Sequence, residues 1–209
     1  STEPGLLQLT VPALNADVGV ALDGDGDRLA MVDENGQLID GDQLLYVLAM
    51  ARHHDATLKG PIVGTVMSNL GLEKALKAER IDFQRANVGD RYVLEALRAS
   101  GGIIGGETSG HMIMLDKSTT GDGLICALQV LAIMKKTGKM LSELVAGMFK
   151  YPQIMINVPT ERRLSLELST EIQAAVATAE AELGATGRVV LRASGTESVI
   201  RVMVEGKNN

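Results

Sequence analysis

The sequence predicts an α/β protein: a mixed α/β sheet domain followed by a small α+β domain, and preceded by the sheet fragment of a further α/β domain. Three observations predict it. Between residues 62 and 99, short β-rich runs alternate with amphipathic helical patterns, the arrangement that builds a parallel sheet with crossover helices. After Tyr151-Pro152 the order becomes strand, helix, strand, strand, which suits a small α+β unit. Near the start, two short apolar runs flank a loop of acidic residues, glycine and one arginine, and a small sheet accounts for them. The implied division is residues 1–40, 41–150 and 151–209.

Taken in order, residues 1–14 are interrupted by Pro4 and Pro12, so irregular structure or a broken helix is expected there. That opening reads as cut off and has no initiator Met, so the chain is expected to be a fragment or a processed product. Strands are predicted over 17–22 and 29–32. The turn Asp33-Glu34-Asn35-Gly36 then leads into a short strand over 37–39. Asp40 or Asp42 caps a helix to about Ala51, with Leu44, Leu45, Leu48 and Ala49 on its apolar face. After Gly60-Pro61 come strand 62–66, helix 70–78, strand 83–88, helix 91–99 and strands 103–105 and 111–115. Helices over 123–135 and 142–148 close the middle domain. The last domain reads as strand 153–158, helix 170–183, strand 188–192, a Ser-Gly-Thr turn and strand 199–204.

With 45% hydrophobic and 22% charged residues, the 209-residue chain can bury a substantial core. A net charge of −6, without any basic cluster interleaved with aromatics, argues against a nucleic-acid partner. The single cysteine, Cys126, precludes an intrachain disulfide and lies in an apolar helical pattern, which suits a buried thiol in a reducing, cytoplasmic setting. No apolar run reaches the ~18 residues of a membrane span, so no membrane partner is expected. The 10 methionines supply apolar volume in a chain with only 2% aromatics.

Three stretches carry chemistry, and two more give weaker signals. In Asp23-Gly-Asp-Gly-Asp-Arg28, three carboxylates on alternate residues repel one another unless a cation neutralises them. Hard oxygen ligands with no Cys or His adjacent favour Mg²⁺ or Ca²⁺, and the glycines let the backbone converge Asp23, Asp25 and Asp27 on one ion. An EF-hand is the tempting alternative, with Glu34 at the closing position. Arg28 replaces its turn glycine, however, and the flanks read as strands rather than helices. The remaining alternative is a solvated acidic turn.

Residues 105–111, Gly-Gly-Glu-Thr-Ser-Gly-His, lie between two predicted strands. Glu107 can accept from vicinal hydroxyls or an ammonium, and Ser109 and His111 can bind hydroxyls or phosphate. The same stretch also reads as an ordinary connecting loop. Residues 192–197, Arg-Ala-Ser-Gly-Thr-Glu, combine a guanidinium, two hydroxyls and a glycine amide, a set that suits a phosphate. Arg201 either adds a second cation or pairs with a carboxylate such as Glu205. Weaker signals are residues 88–92, where Asp90 reads as a helix N-cap, and residues 116–123, where Thr120 or Asp122 caps the next helix and Lys117 can meet a phosphate. His53 and His54 suit a helix C-terminus.

The acidic loop, the Gly-Glu-Thr-Ser-Gly-His loop and the Arg-Ala-Ser-Gly-Thr-Glu loop, in that order, resemble the α-D-phosphohexomutases from about Asp17 to Gly206. Within that superfamily, residues 88–93 and 115–123 resemble the bacterial phosphoglucosamine mutase family. The resemblance implies Mg²⁺ on Asp23, Asp25 and Asp27, with Arg28 beside the transferring phosphoryl group. It further implies that Glu107 and Ser109 bind the sugar hydroxyls, with His111 near the reacting end. Arg192, Ser194, Gly195 and Thr196 would grip the nontransferring phosphate of a hexosamine phosphate.

Two departures stand beside these matches. The Ser-His-Asn-Pro type of loop that carries the family's phosphoserine is not in this sequence; Ser68-Asn69 and Ser109-Gly110-His111 are only loose imitations. Ser198 replaces the proline usual after Ser-Gly-Thr-Glu. The expected activity therefore depends on an N-terminal phosphoserine domain as partner, and this chain alone is expected to be inactive. The competing expectations are a phosphomannomutase or phosphoglucomutase, and a noncatalytic sugar-phosphate-binding module.

Overall fold

A computed structural model of the chain describes residues 3–160, 169–193 and 198–207. It divides into two compact units, one ending at Phe149 and the other beginning at Lys150.

The first unit opens with helix α1 (Gly5–Ala13), where the sequence leads one to expect irregular or broken structure. The prolines are tolerated because of where they fall. Pro4 stands at the N-cap and its carbonyl accepts from the Gln8 N–H at 3.0 Å, while Pro12, in the last turn, removes only one helical donor. A three-stranded antiparallel sheet follows in the order β1 (Val18–Leu22), β2 (Leu29–Asp33), β3 (Leu38–Ile39). Its second turn forms as the sequence predicts, with the Asp33 carboxylate accepting from the backbone of Asn35 and Gln37 at 2.9 and 2.8 Å.

Helix α2 (Gly41–His54) begins at a capping box. Asp40 accepts from the Gln43 N–H, and the Gln43 side chain accepts from the Asp40 N–H. The second sheet has the order β5 (Phe83–Ala86), β4 (Ile62–Thr65), β6 (Ile104–Gly106), β7 (Met112–Met114). Helices α3 (Leu70–Ala78) and α4 (Asp90–Ser100) make the crossovers between its parallel strands, as the alternating pattern predicts. The last strand makes the sheet mixed, as the fold class expects: β7 pairs antiparallel with β6. The few residues between them suffice only for a hairpin, since a parallel return needs a crossover of a dozen or more. Helices α5 (Gly123–Thr137) and α6 (Leu141–Val145) complete the unit.

The core gathers Leu44, Leu45 and Leu48 of α2, Ile62 of β4, Leu72 and Leu76 of α3, Ile104 of β6 and Met31 of β2, none more than 2% exposed. Each such side chain contributes roughly 1.5–3 kcal/mol by leaving water. Cys126 of α5 lies in the same cluster, and burial pushes its thiol up to about 12.

In the second unit, β8 (Gln153–Pro159), β10 (Val199–Gly206) and β9 (Gly187–Ala193) form an antiparallel sheet in that order, and helix α7 (Thr170–Leu183) precedes β9. No described helix is long and apolar enough to cross a membrane.

Candidate functional site

The hairpin between β1 and β2 carries the acidic loop. Asp23 closes it twice: its N–H donates to the Arg28 carbonyl at 3.4 Å, and its carboxylate accepts the Arg28 N–H at 3.1 Å. The Gly26 N–H donates to the Asp23 carbonyl at 3.2 Å, and the Gly26 carbonyl accepts from Gly123 at the start of α5. So folded, the loop brings oxygen atoms of Asp23, Asp25 and Asp27 to within 4.8 Å of one another. Strands flank the loop on both sides, and Glu34 is engaged by Ser142 and Asn35 rather than directed to it, so the geometry is not that of an EF-hand.

The electrostatics of the loop are uneven. Burial and the charges of Asp25 and Asp23 raise the Asp27 carboxyl, against the opposing pull of His111. At Asp23, burial pushes upward, but the Arg28 N–H, the Asp27 side chain and the Arg28 guanidinium together hold it below the usual range. Three hard oxygen donors crowded together are the donor set of a Mg²⁺-sized cation, so these residues fit such an ion.

The 107–111 loop is built onto this hairpin. The Leu29 N–H donates to the Gly110 carbonyl at 3.1 Å, and Arg28 and His111 form an isolated antiparallel bridge. Gly110 is required at this junction: its φ is +92°, and a Cβ there would fall 2.0 Å from the Leu29 carbonyl oxygen. His111 Nε2 lies 3.5 Å from Asp27 Oδ2, and the His111 side chain is almost completely buried. Its Nδ1 is buried with no hydrogen-bond partner among the described residues. Gly121 backs the ring so closely that a Cβ would meet His111 Cε1 at 2.3 Å. A cavity of about 250 Å³ opens beside the loop, with Asp23, Arg28, Gly41, Thr108 and Ser109 in its lining.

The fold thus brings Asp23, Asp25, Asp27, Arg28, Ser109 and His111 together. Glu107 is attached differently: its carboxylate accepts the Gly89 N–H at 2.7 Å, tying the loop to the start of α4. This corrects the role expected of Asp90. Gly89, with φ +128°, occupies the N-cap position and Asp90 is the first helical residue, its carboxylate accepting from Arg91. The 116–123 segment behaves as a cap: Asp122 accepts from the Ile125 N–H at 2.8 Å, while Asp116 pairs with Arg52 at 2.7 Å and has Lys117 Nζ at 3.7 Å. Ser68 is fully buried and accepts the Thr65 N–H at 3.0 Å, which leaves no access for a phosphoryl group.

In the second unit, Arg192 on β9 stands directly opposite Arg201 on β10. Two guanidiniums at one register position suit an anion. Glu205 has partners on both neighbouring strands. It is buried between β8 and β9, paired with the Arg188 guanidinium and accepting from Gln153 Nε2 at 2.6 Å. Ser194, Gly195 and Thr196 lie outside the described residues.

Sequence reasoning missed Asp42, Gly89 and Gly121 as parts of this architecture. Asp42 had one local signal, an acidic residue left over beside the better-placed cap Asp40. The other two act through contacts distant in sequence, which no local pattern reveals.

Comparison with known proteins follows the same order along the chain. Residues 40–151 match the family described as phosphoglucomutase/phosphomannomutase, alpha/beta/alpha domain III. Residues 155–209 match phosphoglucomutase/phosphomannomutase, C-terminal domain. The phosphoglucosamine mutase of Methylococcus capsulatus is 56% identical over 206 residues, spanning 99% of this chain and 46% of that protein. That of Legionella pneumophila is 52% identical over 208 residues, 100% of this chain and 46% of the relative. The chain therefore spans about half the length of the curated relatives it matches. Among solved structures, Aspergillus fumigatus N-acetylphosphoglucosamine mutase, in complex with GlcNAc-6P and magnesium, superposes with a TM-score of 0.74 at 23% identity. That match covers 90% of this chain and 45% of the other. A phosphoglucomutase/phosphomannomutase family protein of Burkholderia thailandensis gives 0.77 at 20% identity over 99% of this chain and 46% of that one. The α/β fold expected from the sequence is the fold these structures share.

Proposed function

This chain belongs to the phosphoglucomutase/phosphomannomutase family, and on that premise we propose that it forms the metal- and sugar-binding part of a phosphoglucosamine mutase. The reaction is the interconversion of glucosamine 6-phosphate and glucosamine 1-phosphate, a step toward peptidoglycan precursors in the cytoplasm. The observation that carries this reading is the acidic loop, whose three carboxylates lie within reach of one ion and which is joined to the Gly-Glu-Thr-Ser-Gly-His loop by the Arg28–His111 bridge.

Asp23, Asp25 and Asp27 hold Mg²⁺, which when bound neutralises charge on the transferring phosphoryl group. Arg28 leaves the loop beside that group and adds fixed donors to its oxygens. Glu107, with one carboxylate oxygen on the Gly89 N–H, offers the other to the sugar, where an amino group is a stronger partner than a hydroxyl. Ser109 binds a sugar hydroxyl, and His111 stands at the reacting end, held against Gly121. Arg192, with Ser194, Gly195 and Thr196, grips the phosphate that is not transferred. The phosphoryl donor is a phosphoserine on a further domain, so the isolated chain binds substrate without turning it over. In this reading residues 1–40 are the C-terminal part of a second α/β domain, distinct from the one that carries the phosphoserine, while 41–150 form the sugar-binding domain and 151–209 the phosphate-gripping domain.

Calorimetric titration of the chain with Mg²⁺, and then with glucosamine 6-phosphate, glucose 6-phosphate and mannose 6-phosphate, tests the reading. One Mg²⁺ site lost on replacing Asp23, Asp25 and Asp27 by Asn, together with tighter binding of the amino sugar, is the expected result. Mg²⁺ binding that survives the triple substitution overturns the metal assignment. A preference for the glucose or mannose phosphate moves the activity to phosphoglucomutase or phosphomannomutase, and turnover by the chain alone overturns the external donor.

A further inference from the structure

Asp42 stands outside every motif that carries chemistry, yet its side chain is fully buried. Its Oδ2 accepts two hydrogen bonds from segments remote from each other: the Asn69 N–H at 2.9 Å and the Thr108 hydroxyl at 2.8 Å. The neighbouring Gly41 N–H donates to the Thr108 carbonyl at 3.1 Å. Thr108 is thereby held by both its backbone and its side chain, and it sits between Glu107 and Ser109.

The far side of this contact is itself rigid. Asn69 caps α3 by accepting the Gly71 N–H at 2.9 Å, and the Arg85 guanidinium donates to the carbonyls of Thr65 and Ser68 at 2.9 and 2.7 Å. Helix capping does not explain Asp42, because Asp40 already fills that role in α2. Nor is a carboxylate a cheap choice for a buried position, since taking it out of water is costly. The cost is visible in the group itself: burial, then the charge of Asp40, pushes its carboxyl up to about 6 despite the Asn69 and Thr108 hydrogen bonds.

We infer that Asp42 is a positioning residue of the sugar-phosphate site: through Thr108 it fixes the 107–110 loop, and with it Glu107 and Ser109, against the anchored turn at Asn69. This rests on the reading of Glu107 and Ser109 as sugar ligands given above. No atom of Asp42 meets the substrate; its effect is on where the ligands stand.

The test uses the present chain and four variants, Thr108→Val, Asp42→Ala, Asp42→Asn and the Thr108→Val/Asp42→Ala double variant. Each is read by amide hydrogen exchange and by calorimetry with Mg²⁺ and glucosamine 6-phosphate. Thr108→Val keeps the side-chain volume and removes only the donor, so it carries the decision even where Asp42→Ala fails to fold. Exchange at Ser109 and Gly110 should rise, and glucosamine 6-phosphate affinity should fall, each about tenfold, the scale of one lost hydrogen bond to a buried carboxylate. Mg²⁺ affinity and the protection of the α2 interior should not change. Asp42→Asn, which keeps an acceptor, should recover most of the affinity, and the double variant should be no weaker than Asp42→Ala. Unchanged exchange in Thr108→Val, or a loosened loop with undiminished sugar affinity, overturns the inference. A wild-type chain that ignores glucosamine 6-phosphate overturns instead the function proposed above, and loop exchange then decides whether the clamp exists.

Discussion

The two units are held together by different means. In the first, eight of the fourteen residues of α2 are buried, and its apolar face meets side chains from both sheets. In the second, within its described residues, α7 buries none of its fourteen and six of the seven residues of β8 are exposed. What β8 and β9 share with β10 is a continuous antiparallel ladder and, beneath it, the buried Glu205 with Arg188 and Gln153. The lesson is that a single measure of core size misjudges this chain: one unit depends chiefly on apolar packing, while the other, within its described residues, adds a continuous backbone ladder and a polar buried contact to a small apolar set, Tyr151, Ile200 and Met203.

The largest effect that can break this comparison is Glu205→Ala. Removing one partner of a buried ion pair strands the other and typically costs about 3–5 kcal/mol. Denaturant unfolding followed by exchange in β10 should register that loss in the second unit; a cost below about 1 kcal/mol would mean the ladder alone suffices. Next comes Leu44→Ala in the first unit, expected to cost about 2–5 kcal/mol because Leu44 is wholly buried. Ile156→Ala on β8 is its control, expected within about 0.5 kcal/mol since Ile156 is 57% exposed. Equal losses would erase the distinction between the units.

The stability of the first unit should also depend on pH. Asp42 is raised from the ordinary ~4 to about 6, so between those values the folded chain holds a proton that the unfolded chain releases. Its contribution to stability is therefore greatest below pH ~4, falls as pH rises from ~4 to ~6, and is level above, a drop on the order of 3 kcal/mol. The stability difference between wild type and Asp42→Asn, measured by urea unfolding across that range, should show this slope. A flat difference would mean the carboxyl is not perturbed.

Much of the fold was legible because its signals are local. The helices expected over 70–78 and 170–183 form with those bounds, their starts capped by Asn69 and Ser169, and the hairpin turn at residues 33–36 follows from its Asp and Gly. Helix α1 was concealed by prolines whose cost depends on which turn they occupy. The acidic loop was visible as a metal site because its three ligands are neighbours in sequence. Its union with His111, and the link from Glu107 to Gly89, depend on strand pairing and helix placement. Asp42 is the sharpest case, a residue whose sequence context reads as capping while its partners, Asn69 and Thr108, lie far along the chain.

The Arg28–His111 bridge has a consequence for when the site comes into being. Its two halves are distant in the chain, and contacts of such long sequence separation form only after the loop-closure entropy of the intervening segment has been overcome. During synthesis the acidic hairpin emerges well before its partner loop, and for that interval three carboxylates crowd together with neither His111 nor the 107–111 segment beside them. Assembly of the pair therefore waits at least until the 107–111 segment has emerged, so the complete ligand site forms later than the acidic hairpin can.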